Sequence, residues 1–369
     1  MIVLLVACLS GAGESGTVAP EVGVTVTIHS SVAQVLRASD LAYTLRFPSE
    51  AREFAQAGLP RPGEVLIGRN RSWGRMYASR FQMGTGTTLR TTLALACAGD
   101  AARAFDGVEA GFSNMDTSGR LASSVPFSVT MGASLRESDI ASGAAFFLGN
   151  ACSALLALSV SPGAANMVPM ARQQLVQQRA ARSISWLRAL ASTLQQADAS
   201  APNRLFFDAR ACLACGRLTP QPEIAGVADA FVRRALALQA PDGWFDESGG
   251  WDTSYQAVAL EIGADVHSLL PAGAFKDSLG NALQSGREWL RSRVDEEGRV
   301  NSGGNRRTCS GGESFLGTPK ALSITSVITG LARVTSHVRG ADEVEAAARR
   351  VAAWARQHPD GDPCFERAL

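Results

Sequence analysis

The sequence predicts an all-α fold preceded by a short β-containing segment. Three observations carry this. From about residue 87 onward, long Ala- and Leu-rich segments place apolar residues at helical spacing. Several of them start near residues suited to capping, such as Ser138 or Asp139, Asp208 and Asp252. No strand-like alternation interrupts them. A chain of 369 residues, 46% of them hydrophobic, is long enough for a sizeable core.

Taken in order, residues 1–20 read as a leader and tether. Met1 to Cys8 is a short apolar run ending Leu5-Val-Ala-Cys8, the form of a bacterial lipobox whose cysteine is lipidated after cleavage. The run lacks a basic n-region, and the alternative is a buried first strand. Residues 21–86 form the β-containing segment. Val22–His29 alternates β-branched residues and reads as a strand, Ser31–Arg37 as a short helix, and Tyr43–Phe47 and Glu64–Ile67 as weaker strands. Residues 87–369 form the helical domain. The expected helices are Thr88–Phe112, Asp139–Leu158, Met170–Gln196, Ala209–Leu218, Ile224–Leu238, Thr253–Leu269, Phe275–Arg293, Pro319–Val338 and Glu343–Gln357. The apolar stretch at 140–160 contains Asn150 and several serines and reads as a buried helix, not a membrane span.

Charge narrows the function classes. Thirty-five basic against 34 acidic residues leave a net charge of +1, which argues against a nucleic-acid coat or a polybasic membrane binder. The basic residues are 33 Arg and only Lys276 and Lys320. Codon usage accounts for most of that ratio; a subset of Arg forks suits carboxylate-bearing ligands. The four histidines, His29, His267, His337 and His358, lie away from the polar loops, and neither an H-E-x-x-H nor a G-x-S-x-G occurs. Metal catalysis by imidazole is therefore not expected, and no cofactor is implied. Cys212-Leu-Ala-Cys215 sits in a helical pattern with no second pair, so it reads as core thiols or a local disulfide, not a zinc site.

Between the helices a turn theme recurs: Asn114-Met-Asp-Thr-Ser-Gly119-Arg-Leu, Asn203-Arg-Leu-Phe-Phe-Asp208, Gln239-Ala-Pro-Asp-Gly243-Trp244-Phe-Asp-Glu247 and Asp295-Glu-Glu-Gly298-Arg-Val-Asn. The Gln239 to Glu247 instance resembles the inter-helix turns of α/α-toroid proteins, in which a Gln…Asp-Gly-x-Trp/Phe turn closes each hairpin. The resemblance covers roughly residues 88–360 and implies an α/α toroid of helical hairpins with its loops gathered at one end. Within that superfamily the terpenoid-cyclase branch fits poorly, since no acid-rich initiator motif occurs and aromatic residues are only 7%. A zinc prenyltransferase subunit lacks its ligand set. The carbohydrate-active branches, lyases and glycoside hydrolases, remain.

Candidate site residues fall in loops. The richest is Asp242 to Gln256, with Asp246, Glu247 and Asp252 as candidate acids, Tyr255 as candidate acid or base, and Trp244, Trp251 and Gln256 as sugar contacts. Asp252 is also placed to cap the helix that follows. Arg69, Arg71, Trp73 and Arg75 share one face if residues 69–80 form a strand, a surface suited to an anionic, ring-bearing chain. Asn305, Arg306 and Arg307 in a Gly-rich loop, and Asn203 and Arg204, complete the binding candidates.

Three functions follow. The first is a polysaccharide lyase acting on an acidic, uronate-containing chain. β-Elimination needs a cation or amide on the carboxylate, a base for the C5 proton and an acid for the leaving oxygen. The second is a glycoside hydrolase pairing Asp246, Glu247 or Asp252 with Asp208, Asp116 or Glu313. The third is a non-catalytic polysaccharide-binding lipoprotein. All three imply export to the periplasm or outer membrane, an acidic polysaccharide as partner, no nucleic acid, and anchoring by lipid at Cys8.

Overall fold

The computed structural model describes residues 48–59, 80–95, 98–113, 115–121, 136–315, 318–335 and 341–366, with helical positions between 34 and 47. Among the described residues there are thirteen α-helices. They are α1 (Pro48–Gly58), α2 (Arg80–Ala94), α3 (Ala98–Phe112), α4 (Glu137–Ser159), α5 (Pro162–Ala165), α6 (Met170–Ala189), α7 (Ala191–Ala197), α8 (Pro202–Leu218), α9 (Pro222–Leu236), α10 (Thr253–Leu269), α11 (Ala274–Ser292), α12 (Ile324–Thr335) and α13 (Ala341–Gln357). The all-α class is as expected. The sole ladder among the described residues is an antiparallel pair, β1 (Ser314–Phe315) with β2 (Thr318–Pro319).

The expected strand at Tyr43–Phe47 is helical instead. Asp40, Leu41, Tyr43, Thr44 and Arg46 are in helix, and Leu36, Asp40, Tyr43, Phe47, Ala51 and Ala55 are all buried. That three-to-four spacing is one helical face, and it outweighs the β preference of five residues read alone. Val22–His29, Glu64–Ile67, Arg69, Arg71, Trp73, Arg75 and Cys8 lie outside the described residues.

Packing follows the chain in alternation. The helices α2, α4, α8, α10 and α12 pack successively on one another. Each of α2, α8, α10 and α12 also packs on the helix that follows it in sequence: α3, α9, α11 and α13. Helix α6 lies against α4 and α8. Helix α4 is long and apolar enough to cross a membrane by length and composition, yet every residue from Ile140 to Leu158 is buried inside the protein. A helix apolar all round belongs in a core when neighbours cover every face.

A network of charged side chains reaches into that core. Arg90 on α2 donates to Asp40 at 2.7 and 3.0 Å and to Asp265 on α10 at 2.8 and 3.1 Å. Asp265 also accepts from Arg210 on α8 at 2.9 Å and Arg333 on α12 at 3.0 Å, and Arg333 reaches Asp40 at 3.2 Å. No side chain among the five is more than 6% exposed. Residues from four helices and the 34–47 segment are thus joined through two carboxylates.

The recurring turn is real at three of its four expected places. Met115 bridges Leu121, Gln239 bridges Phe245 and Val294 bridges Val300. Gly119, Gly243 and Gly298 have φ of 93°, 98° and 87°. A Cβ on any of them would lie 2.2–2.4 Å from a backbone oxygen of a later helix: Arg182 on α6, Ser285 on α11 and Arg350 on α13. Glycine is required by both the left-handed backbone and the close approach. Gln239 fixes its turn by donating to Gly243 O at 2.8 Å and Ala282 O at 2.7 Å. The fourth instance, at Asn203, is not a turn, because α8 already begins at Pro202, a residue suited to the first helical turn. Asp208 therefore sits inside α8 and is no cap.

Among the described residues two disulfides cross the fold, Cys152–Cys215 and Cys309–Cys364, and Cys212 is a buried free thiol. The local Cys212–Cys215 bridge does not form, because Cys215 is bonded to Cys152 on α4, and Cys212 stays as a core thiol.

Candidate functional site

The loops 242–256 and 301–320 meet beside the N-terminus of α10. Asp252 caps that helix, accepting from Ser254 N at 3.0 Å and Tyr255 N at 3.1 Å. Its second oxygen accepts from Arg307 N at 3.0 Å and Thr308 N at 2.8 Å. One carboxylate thus fixes both the helix start and the facing loop. Trp251 O accepts from Arg306 N at 2.9 Å, and Asn305 accepts from Thr253 N at 3.0 Å, so the loops are laced along their backbones. Backbone bonds from Glu313 N to Arg307 O at 2.9 Å and from Lys320 N to Glu313 O at 2.8 Å then bring Arg307, Glu313 and Lys320 into register.

Five side chains converge there. The Arg307 guanidinium stacks on the Tyr255 ring, 4.1 Å from its centroid. One edge of its fork binds Glu247; the other donates to Glu313 at 3.0 and 3.1 Å. Lys320 Nζ lies 2.5 Å from the Tyr255 hydroxyl and 2.9 Å from Glu313, and that hydroxyl donates to Glu313 at 3.2 Å. Glu313 therefore accepts from Arg307, Lys320 and Tyr255 together. Arg204 on α8 flanks the group. It donates to Asp198 at 3.1 Å, and its charge acts on both Glu247 and Lys320. A backbone bond from Ser248 N to Ser200 O, 3.1 Å, ties the 242–256 loop to the turn before α8.

The environments pull these groups apart. Burial pushes Glu247 up to about 7, outweighing the neighbouring Arg307. Burial pulls Glu313 the same way, but hydrogen bonds from Arg307 and Lys320 prevail and hold it below the usual carboxylate range. Burial raises the Tyr255 phenol, keeping it protonated at neutral pH, and lowers the Lys320 ammonium. A carboxyl near neutrality beside a protonated phenol, among three cations, is a set of groups able to move protons next to a bound anion.

Other expected site residues have structural partners. Asp246 accepts from Gly249 N and Gly250 N at 2.7 Å and shapes its own turn. Gln256 accepts from Phe245 N at 2.8 Å and donates to Gly286 O at 3.2 Å. Trp244 and Trp251 form an edge-to-face pair, 5.7 Å between ring centroids, and both stay half-buried beside the cluster. Arg306 is exposed, its stem lying over Gly250, where a Cβ would come within 2.7 Å. Asn203 is buried at the start of α8. Asp208 is fully buried, and burial together with Asp198 raises its pKa well above the usual range. Asp116 is bound up in its own turn by Ser118 N at 2.8 Å and Arg120 N at 3.1 Å.

Lys320 and Asp198 were missed in the sequence. Lys320 had one signal: it is one of two lysines among 35 basic residues. Among the described residues no group of three or more His, Cys, Asp or Glu is placed to hold a metal ion. Comparison with protein-family models, with curated proteins and with solved structures finds no match for the chain.

Proposed function

We propose that this is an exported, carbohydrate-active enzyme of α/α-toroid architecture that cleaves an acidic polysaccharide by β-elimination. The observation that carries the chemistry is the division of labour around Arg307. Glu313 is occupied by three donors and ionised, so it organises the cations. Glu247, with a pKa of about 7, is suited to take the C5 proton. Tyr255, held protonated, is suited to give one to the leaving oxygen. Arg204, Arg307 and Lys320 supply the positive field that a uronate carboxylate needs as negative charge builds on it. Half-buried Trp244 and Trp251 offer ring faces to neighbouring sugars.

The alternating helix packing, and the return of Asp40 to meet both α2 and α12, support a closed ring of hairpins. Two disulfides suit an oxidising compartment, which supports export; lipid anchoring at Cys8 rests on the sequence pattern alone. The hydrolase reading keeps one supporting observation, that Glu247 and Glu313 are pushed to opposite sides of the usual carboxylate range. Against it, every donor near Glu313 competes for the lone pairs a nucleophile or base needs.

Incubation with a panel of uronate-containing polysaccharides tests the proposal. Growth of the ultraviolet absorbance of unsaturated uronates is expected, and it should vanish in Tyr255→Phe. New reducing ends without that absorbance select the hydrolase. Retained binding without cleavage selects a binding protein.

A further inference from the structure

Three cations belong to this cluster, Lys320 on the Tyr255 hydroxyl, Arg307 over its ring and Arg204 acting on Glu247 and Lys320, and one differs in kind. Arg204 and Arg307 carry guanidinium groups, which do not give up a proton at any physiological pH. Lys320 carries an ammonium group, which can. The chain uses Arg at 33 of its 35 basic positions, so a lysine at this one stands against its own habit. The geometry fits a purpose for it. Lys320 Nζ is 2.5 Å from the Tyr255 hydroxyl and 2.9 Å from Glu313 Oε2, and the hydroxyl is 3.2 Å from the same oxygen, so the three polar groups form a closed triangle. The lysine side chain is 18% exposed, giving it a path to solvent.

We propose that Lys320 is the proton relay of Tyr255, returning to the phenol the proton it gives away. The inference rests on the elimination reading. In the balanced step, Glu247 takes the C5 proton and the C–H electron pair becomes the C4–C5 double bond. The C4–O bond breaks, and its oxygen takes the Tyr255 proton. The Lys320 ammonium then reprotonates the tyrosinate, and the resulting amine takes a proton from water. Glu247 returns its own proton to water. Lys320 acts through Tyr255 and is a positioning residue, not a group in contact with substrate. The charged groups facing it are Glu313, which favours the ammonium, and Arg307 and Arg204, which with burial disfavour it.

Because the folded chain has only two lysines, amine labelling across pH, read by mass spectrometry, reports Lys320 and Lys276 separately. Lys320 should become reactive below the ~10.4 of a free lysine. The threshold should fall further in Glu313→Gln, where the favouring anion is gone. An ordinary threshold that Glu313→Gln does not move overturns the relay, whether or not any polysaccharide is cleaved. In turnover, Lys320→Ala should lose about 10²–10⁴-fold and recover on addition of small primary alkylamines. Lys320→Arg should stay slow with or without them. Lys320→Met, which keeps an apolar stem, repeats the rescue if the alanine variant folds poorly. Wild-type turnover by Lys320→Arg overturns the relay, because charge alone would then suffice. Absence of unsaturated product from the wild type refutes elimination and leaves the labelling to decide the relay.

Discussion

Replacing Asp265 by Asn is the sharpest probe of what holds the helices together. Asp265 accepts from three guanidiniums, at 2.8 and 3.1 Å from Arg90, 2.9 Å from Arg210 and 3.0 Å from Arg333. Asparagine conserves the volume, removes the charge and turns an amide N–H₂ toward cations. Three buried arginines then share only Asp40 within the cluster. Removing one partner from a buried ion pair typically costs 3–5 kcal/mol, because the other charge is left without compensation. That is a large share of the roughly 5–15 kcal/mol that holds a domain folded. Urea denaturation is the assay, since guanidinium salts screen the interaction under study. The matched control is Glu297→Gln, whose partner Arg299 is 3.2 Å away at an exposed site, with an expected cost under about 1 kcal/mol. The pH profile supplies a second readout. Burial alone would raise the Asp265 carboxyl; Arg90 and Arg333 outweigh it and depress it. A depressed carboxyl stabilises the fold above its unfolded pKa of about 3.9, and that stability is lost as pH falls through the folded value. The wild type should therefore lose stability on acidification more steeply than Asp265→Asn. A cost no larger than that of the surface control would refute the reasoning.

Other expectations follow from single features. Glu247→Gln should cut the cleavage rate by about 10²–10⁴-fold and remove the limb of the pH–rate profile that rises through about 7. Because burial raises this carboxyl, the wild type should also lose stability as pH climbs through that value, while the variant should be flatter there in thermal melts. Cys364→Ser opens a bridge between residues 55 apart, a loss of about 4 kcal/mol on chain-entropy grounds, and hydrogen exchange in 301–320 should rise. Gly298→Ala meets both a φ of 87° and Arg350 O at 2.2 Å, whereas Gly312→Ala meets a φ of 73° and open space. Melting should show the second costing about 1–3 kcal/mol from backbone strain and the first clearly more.

Legibility in the sequence followed the range of the forces involved. Helix α10 was read to the residue, from Thr253 to Leu269, because Asp252 caps it through bonds no more than three residues long. The turns at Gly119, Gly243 and Gly298 were legible for the same reason. Tyr43–Phe47 was misread because its helical stripe runs from Leu36 to Ala55, longer than the window used. The expected helix from Pro319 starts at Ile324 instead, because the backbone at 318–320 pairs with Ser314, Phe315, Glu313 and Cys309. Glu247 and Tyr255 stood out as a loop carboxylate and a rare tyrosine. Lys320 did not, because only a hairpin between Glu313 and Lys320 places it on the Tyr255 hydroxyl. The Asp265 cluster was invisible, since its members are spread from Asp40 to Arg333.

That spread bears on how the chain is made. During synthesis Asp40 and Arg90 leave the ribosome first of the five, Arg210 and Asp265 much later, and Arg333 last. An N-terminal fragment holding the first four has two carboxylates and two guanidiniums, and only Arg333 ties Asp40 to α12. The last ion pairs thus postpone final docking until nearly all helices exist, and nascent intermediates must hold polar groups in water until then. Circular permutants that cut between α10 and α11 would bring Arg333 out before Asp40, Arg90, Arg210 and Asp265, and comparing their refolding yields with the parent would expose how much the native order matters.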